Sequence, residues 1–122
     1  MQYSEITEKI IACAYKVYNK MGYGYLESVY EKCMLIELEK NGFNIESQKP
    51  LKVIYEGLVV GDFVADIVVN DTVIVELKSV SKIVKSHEIQ LVNYLVTTNR
   101  PVGLILNFAK DKVEVKRKVK DL

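Results

Sequence analysis

The stretch from Asp66 to Lys78 constrains the fold most, because it joins two β-favouring apolar runs and places in them charges that such runs normally exclude. Val, Ile and Thr favour a pleated backbone, and apolar residues on both sides of the alternation predict strands that are covered on both faces. A charge in such a strand is costly unless it is paired or binds a metal ion. The charges of Asp66, Glu76 and Lys78 at the centre of a sheet therefore predict a functional or structural role.

The loop between the two runs decides whether these three charges meet. Glu76 and Lys78 are two residues apart, so they leave the same face of one strand, and Asp66 lies on the preceding strand. With a two-residue loop at 70–71, Asp66 would lie on the wrong side from Glu76. A three-residue loop at 70–72 puts Asp66 directly across from Glu76. We therefore predict the three-residue loop, or a bulge with the same effect.

The bulk composition is that of an ordinary globular protein. The 122 residues, of which 49% are hydrophobic and 27% charged, suit a single domain over 1–122. The absence of a long apolar run and of a secretory layout at the start predicts a cytoplasmic protein with no membrane partner. Cys13 and Cys33 fall on apolar helix faces, which favours reduced core thiols over a disulfide.

The net charge of +1 gives no overall attraction to nucleic acid, but the C-terminal segment is locally basic. A basic surface there would suit a nucleic acid, whereas an edge strand guarded by lysines against aggregation explains the same pattern. Both interpretations stay open for Lys110, Lys112, Lys116, Arg117, Lys118 and Lys120.

Two helices are predicted before any strand. Apolar residues at helical spacing follow Ser4, which is a plausible N-cap, and Gly22 should end this helix. The second helix should end at Asn41-Gly42. Its apolar stripe is predicted to consist of Leu26, Val29, Tyr30, Cys33 and Ile36 or Leu38.

Three or four consecutive antiparallel strands should follow, because residues 43–49 and 51–55 alternate on either side of Pro50. A third helix over about 86–98 and two final strands complete the chain. The predicted order is α-α-β-β-β-β-α-β-β, an α/β (α+β) fold with a mixed central sheet flanked by helices.

One face of the third helix is polar. His87, Gln90 and Tyr94 fall at i, i+3 and i+7, away from the apolar stripe. Since this helix follows the Glu76–Lys78 strand, it can point that face back over the strand end. A solvent-facing surface is the alternative, and it suits His87 in particular.

The charged residues could form a metal site. Asp66 and Glu76 offer the hard anionic oxygens that Mg²⁺ and Mn²⁺ prefer, and the backbone carbonyl of Leu77 could supply another ligand. A bound divalent ion acidifies a water and neutralises charge on a phosphoryl oxygen, and Lys78 could position that water or stabilise the developing anion. A buried ion pair with Lys78 explains the spacing equally well, so the residues alone leave both open.

The wider pattern resembles the PD-(D/E)XK nuclease superfamily. Asp66, Glu76 and Lys78 fall on its core motif, although Val64-Ala65 precede Asp66 and the motif's proline is absent. Gln90 falls on the helical glutamine that many members of the superfamily carry. The resemblance implies a restriction-endonuclease-like core and a Mg²⁺- or Mn²⁺-dependent nuclease. The resemblance also implies that the catalytic residues are Asp66, Glu76, Lys78 and Gln90.

The stretch Gly24-Tyr-Leu-Glu27-Ser-Val-Tyr30 is similar to the signature of the GxxExxY protein family, a branch of that superfamily. The family is also similar to segments 61–66, 76–78, 87–91, 93–95 and 103–108. The resemblance implies that Glu27 is a catalytic residue and an auxiliary metal ligand beside Asp66, Glu76 and Leu77. A first-turn carboxylate favoured by the helix dipole is the alternative for Glu27. Tyr30 lies three residues on, on the same side of the helix, and could hydrogen-bond into the site as an auxiliary residue; core packing is the alternative.

The leading hypothesis is a nuclease, endo- or exonucleolytic, acting on DNA, with RNA as the second candidate. A small domain offers little surface for sequence recognition, so we expect structure-selective or non-specific cutting, a homodimer, or a protein partner that supplies specificity. The alternative is a non-catalytic module on the same fold that binds nucleic acid or protein. Hydrolysis of a small phosphate ester is a third option, without a Gly-rich phosphate loop to support it.

Overall fold

The computed structural model describes residues 3–120, which form three helices and five strands. The helices are α1 (Ser4–Met21), α2 (Glu27–Lys40) and α3 (Lys85–Thr98). The strands are β1 (Ile45–Tyr55), β2 (Leu58–Val69), β3 (Val73–Lys78), β4 (Val102–Phe108) and β5 (Val113–Val119).

The strands form one sheet in the order β1-β2-β3-β4-β5. β3 and β4 are parallel and the other neighbouring pairs are antiparallel, so the sheet is mixed. α3 is the crossover between the two parallel strands, which a hairpin could not join. The predicted fold class is therefore confirmed.

Three strands rather than four precede α3, because residues 43–49 and 51–55 do not separate at Pro50. The chain runs through Pro50 in a single strand, β1, where it pairs with Val64 of β2. β1 lies at the edge of the sheet, and an edge strand tolerates the missing N–H of proline when that side faces away from the neighbour.

Helices cover both faces of the sheet. α1 and α2 pack on one face, with a core that includes Ile10, Ala14, Met34, Val75 and Leu104. α3 packs on the other face, with a core that includes Ile74, Leu91, Leu95 and Ile105. Since β3 and β4 contribute to both cores, the near-continuous apolar runs of these strands have a physical cause.

The β2–β3 turn has the predicted three-residue loop. Val69 pairs with Val73, which leaves 70–72 as the loop. Asn70 and Asp71 both have a φ of 52°, a left-handed conformation that Asn and Asp tolerate better than other side chains. The Asn70 side chain also accepts a hydrogen bond from the Asn44 N–H at 2.9 Å, which holds the loop against the start of β1.

The helix boundaries differ in detail from the prediction. Ser4 is the first residue of α1 rather than its cap, while Gly22 ends the helix by donating its N–H to Tyr18 O at 2.8 Å. α2 begins at Glu27, so Leu26 lies outside it and is 75% exposed. Ile36 is also exposed, and Met34 occupies the core position that the predicted stripe omitted.

Cys13 and Cys33 are free thiols, as predicted. No helix of the described residues is long and apolar enough to cross a membrane.

The basic C-terminal strand, β5, forms the second edge of the sheet, as the guarded-edge interpretation requires. Lys118 of β5 forms an ion pair with Glu88 of α3 at 2.5 Å, and Lys120, just after β5, donates to Asn99 Oδ1, just after α3, at 2.6 Å. These contacts tie β5 to α3.

Candidate active site

The candidate site lies where β2 and β3 part. The backbone pairing of these strands ends at Ile67 and Val75, and the next residues are Asp66 and Glu76. Beyond this point side chains replace the ladder: the Asp66 N–H donates to Glu76 Oε2 at 3.0 Å, and the Leu77 N–H donates to Asp66 Oδ2 at 2.8 Å. The predicted juxtaposition of Asp66 and Glu76 is confirmed, and each carboxylate is fixed by a backbone donor.

Glu76 is held in surroundings that oppose its ionisation. Burial, followed by the negative charges of Asp66 and Glu27, raises the pKa of Glu76 from 4.5 to about 7. The Asp66 N–H and the charge of Lys78 act in the opposite direction without cancelling the rise. The carboxyl group would therefore gain from any additional positive charge placed beside it.

Lys78 follows Glu76 on the same side of β3, and both line a small cavity with residues of α3. No carboxylate among residues 3–120 forms a contact ion pair with the Lys78 ammonium. The contact ion pair that competed with a metal site is thus absent from the described part of the chain, although the charge of Lys78 still acts on Glu76 through space.

α3 brings Gln90 and Tyr94 to this cavity. The Tyr94 ring stacks on Phe63 of β2 with centroids 3.4 Å apart and an interplanar angle of 8°. Burial and the nearby Glu76 charge raise the pKa of the Tyr94 hydroxyl, and a hydrogen bond with Gln90 lowers it in part. The predicted polar face of the third helix therefore points back over the strand, towards Glu76.

His87 also lines the cavity, but its ring has a local role. His87 Nδ1 accepts a hydrogen bond from the Val84 N–H at 3.2 Å and so caps the start of α3. A ring nitrogen used in this way stabilises the helix that carries Gln90.

Glu27 approaches the end of β3 from the opposite layer. It is the first residue of α2, and its Oε2 accepts a hydrogen bond from the Ser79 N–H at 3.1 Å. Its charge contributes to the raised pKa of Glu76. Within residues 3–120, however, no three Asp, Glu, His or Cys side chains are grouped so as to hold a metal ion. Asp66 and Glu76 therefore lie together, whereas Glu27 lies nearby and is held by the Ser79 N–H.

Tyr30 packs in the core. Its ring is fully buried and stacks on Phe108 with centroids 4.2 Å apart and an interplanar angle of 4°. Its hydroxyl donates to Gly22 O at 2.7 Å, so the polar end of this side chain fixes the loop before α2. The structure thus gives Tyr30 the core-packing role, with no hydrogen bond to the carboxylates among the described residues.

Two polar residues that the prediction omitted position the segment between β3 and α3. The buried Asn107 amide of β4 exchanges hydrogen bonds with the Val80 backbone, at 3.0 Å to its Oδ1 and 2.9 Å from its Nδ2. Glu114 Oε1 accepts from the Ile83 N–H at 2.8 Å and from Asn107. An Asn in the apolar run of β4 was the sequence signal for this support.

A second omitted pair flanks Asp66. Gln48 Nε2 donates to Glu31 Oε1 at 2.6 Å and lies 3.4 Å from Asp66 Oδ1. Gln48 has a φ of 50°, a left-handed conformation that redirects its side chain locally. Glu31 lies one helical turn after Glu27, so both carboxylates share a side of α2. The helical spacing of these two residues could have been read from the sequence, whereas the backbone of Gln48 could not.

Comparisons with known proteins concern the family and the fold. The family model of the PD-(D/E)XK nuclease superfamily matches residues 4–118. A solved structure described as "Crystal structure of SSO0001" is similar, with a TM-score of 0.58 and 18% identity over 98% of this chain. This chain spans 59% of that protein's chain, and a likeness at this identity concerns the fold alone. Among curated proteins, none matches.

Proposed function

Because the chain belongs to the PD-(D/E)XK nuclease superfamily, we propose that it is a metal-dependent nuclease that hydrolyses phosphodiester bonds of DNA, with RNA as the second candidate substrate. One observation carries the proposal: Asp66 and Glu76 meet where β2 and β3 part, beside a lysine that forms no contact ion pair with a described carboxylate. The Gly24–Tyr30 signature further suggests membership of the GxxExxY branch.

The donor set fits a hard divalent cation. Mg²⁺ binds through one or two carboxylates and keeps several waters, so Asp66 and Glu76, with the Leu77 carbonyl, suffice. The raised pKa of Glu76 supports the proposal, because a cation beside this carboxyl group would favour its charged form. Glu27 would join the ligand set by exchanging its Ser79 contact for the metal. A bound Mg²⁺ or Mn²⁺ would supply an acidified water and neutralise charge on the phosphoryl oxygen.

The side chains of the chain itself would perform the remaining steps. Lys78, held on β3 next to the carboxylates, would position the attacking water and stabilise the developing negative charge as a compact cation. Gln90 and Tyr94 would orient the same water or the phosphate from the α3 side, since both line the cavity with Lys78. His87 would act only by fixing the start of α3.

The test is cleavage of labelled single-stranded, branched and duplex DNA with Mg²⁺ or Mn²⁺. We predict that Lys78→Ala slows cleavage by roughly 10²–10³-fold, the usual loss when one charge-stabilising group is removed. Lys82→Ala, which removes an exposed lysine just after β3, is the matched control and should change the rate less than twofold. Equal rates for the wild type and Lys78→Ala would remove Lys78 from the proposed mechanism.

A second candidate function is a non-catalytic binding module. The observation in its favour is that both carboxylates already have backbone donors, the Asp66 and Leu77 N–H groups, so they also make sense as a structural bridge between β2 and β3. In that case nucleic acid or protein would bind without being cut. Retained DNA binding with no cleavage under any metal would favour this candidate.

Specificity would come from outside the minimal domain, either from a second copy of the chain or from a partner protein. The β1–β2 hairpin offers a surface for such a contact, since its tip exposes Ile54, Tyr55, Leu58, Val59 and Val60. We place the protein in the cytoplasm, where its two free thiols would stay reduced.

A further inference from the structure

A cleft of about 790 Å³ opens at the carboxyl ends of the parallel strands β3 and β4. Ligands bind preferentially at this end of parallel strands, and the cleft has the size of a small-molecule site. Its walls are the segment before α2 together with Glu27, the first residue of that helix, the residues that follow β3, and the end of β4 with the β4–β5 turn. The cleft begins at Ser79, one residue after Lys78. A nucleic-acid strand that lies in the cleft would therefore lead directly to the candidate catalytic residues.

Aromatic and apolar side chains are exposed in this cleft. Tyr23 is 56% exposed, Tyr25 43% and Leu26 75%, and all three line the cavity. The only lysine or arginine that lines it within the described residues is Lys110. Aromatic faces beside a positive charge are the combination that binds an unpaired nucleotide, whose base stacks while its phosphate meets a cation.

The aromatic wall is held in place before any ligand arrives. Gly22 and Gly24 have φ values of 75° and 107°, which other residues rarely adopt, so the backbone on both sides of Tyr23 requires glycine. Tyr30 donates to Gly22 O, and Ser79 Oγ donates to Tyr25 O at 3.0 Å. A fixed wall loses little conformational entropy on binding, which favours a ligand site over a loose surface loop.

The opposite wall is fixed as well. The Tyr18 hydroxyl contacts the carbonyl oxygens of Ala109 at 2.9 Å and of Lys110 at 2.7 Å, which ties the β4–β5 turn to α1. The backbone of Lys110 is therefore anchored while its side chain stays exposed to solvent. A phosphate next to a base stacked on Tyr23 or Tyr25 would face this lysine.

We propose that this cleft binds unpaired nucleotides of the substrate, so that single-stranded DNA or a single-stranded flap is the preferred substrate class. The inference rests on the proposed function for its choice of ligand. Base-paired nucleotides present no free aromatic face to Tyr23 and Tyr25 unless they leave the stack, which has an energetic cost.

The experiment measures binding separately from cleavage. Fluorescence anisotropy of a labelled oligothymidylate, an abasic strand of the same length and a duplex is followed in Mg²⁺ with Lys78→Ala protein, in which cleavage is predicted to be slower by roughly 10²–10³-fold. We expect the abasic strand and the duplex to bind at least about tenfold more weakly than the oligothymidylate, because stacking contributes on this scale. Tyr23→Leu should lose about tenfold in affinity for the oligothymidylate, and Tyr23→Phe, which keeps the ring, should restore it.

Tyr15→Leu is the matched control, since Tyr15 is 42% exposed on α1, outside the cleft, and its loss should leave affinity unchanged. Equal binding of the abasic strand, an inert Tyr23→Leu substitution, or no binding of any strand would overturn the inference. If the wild-type protein cuts DNA and Tyr23→Leu binds the oligothymidylate normally, the proposed role of the cleft is refuted and the nuclease proposal stands. If binding depends on the bases and on Tyr23 but the wild-type protein never cuts DNA, the nuclease proposal is refuted and the proposed role of the cleft stands.

Discussion

At the residue scale, Glu76 connects the sequence most directly with the chemistry. Burying a carboxylate in an apolar strand costs free energy, which the fold must offset. In the structure, burial and the neighbouring charges of Asp66 and Glu27 oppose the ionisation of Glu76. The sequence was sufficient to single out Asp66, Glu76 and Lys78 as candidate site residues, because charges are conspicuous in a Val- and Ile-rich run. It could not reveal that Gln48 would adopt a left-handed backbone and point at Asp66.

The raised pKa of Glu76 predicts how stability depends on pH. Its folded-state pKa of about 7 lies above the ordinary value of 4.5, so between these values the folded protein binds more protons than the unfolded chain. Its stabilising contribution is full below pH 4.5 and is lost as the pH rises through about 7. The loss should approach about 2–3 kcal/mol at pH 8.

Urea unfolding in EDTA from pH 5 to pH 8 tests this prediction. Glu76→Gln keeps an oxygen that can accept from the Asp66 N–H but removes the charge, so it should be more stable than the wild type at pH 8 and show a flatter pH profile. Glu39→Gln, an exposed substitution on α2, should follow the wild type. Wild-type and Glu76→Gln stability profiles that run parallel from pH 5 to pH 8 would contradict the assignment.

At the element scale, the close approach of α3 to β4 positions Gln90 over the site. A Cβ atom on Gly103 would lie 2.8 Å from Leu91 Cδ1 of α3. The helix therefore packs against the glycine so closely that a methyl group would displace the Leu91 side chain. Gly103→Ala should therefore push α3 outwards and destabilise the fold by about 1–3 kcal/mol. Because α3 carries Gln90 and Tyr94, the same substitution should also lower cleavage.

A double-mutant cycle checks the cause. Leu91→Ala removes the clashing methyl groups. The double variant should therefore lose less free energy of unfolding than the sum of the losses of Gly103→Ala and Leu91→Ala, by about 0.5 kcal/mol or more. Strict additivity in urea unfolding would show that the Gly103 contact with Leu91 does not set the position of α3.

Elements were predictable to different degrees. The three-residue β2–β3 loop followed from the requirement that Asp66 face Glu76, since a shift of one residue moves every side chain to the other face. The strand across Pro50 did not, because its place at the sheet edge depends on which strand lies beside it, and that is a non-local property. The apolar stripe of α2 failed at Leu26 for a similar reason: the loop before the helix uses that side chain to line the cleft.

At the scale of the whole molecule, the apolar tip of the β1–β2 hairpin is the feature that the monomer leaves unexplained. The tip pairs Ile54 with Val59 and Tyr55 with Leu58, so apolar side chains project from both of its faces. Exposed apolar strands at a sheet edge are rare in stable monomers and mark interaction sites. The composition alone could not indicate this surface, because a hydrophobic fraction of 49% is also that of an ordinary monomer.

We expect the chain to associate through this hairpin as a dimer at micromolar concentration. Sedimentation velocity should show that the double substitution Leu58→Lys and Val60→Lys shifts the protein to a monomer, because charges on an apolar interface must be desolvated. Ile36→Lys, at an apolar position of α2 that is 56% exposed, is the control and should leave the mass unchanged. A wild-type monomer at tens of micromolar would contradict this expectation.

The most direct test of the central claim, a live divalent-metal site at Asp66 and Glu76, is paramagnetic broadening of backbone amide signals during titration of Mn²⁺ into isotope-labelled protein. We predict broadening centred on Asp66, Glu76, Leu77 and Glu27 that is lost in Asp66→Asn. Uniform broadening, or none at millimolar Mn²⁺, would contradict the claim and leave the paired carboxylates as a structural bridge between β2 and β3.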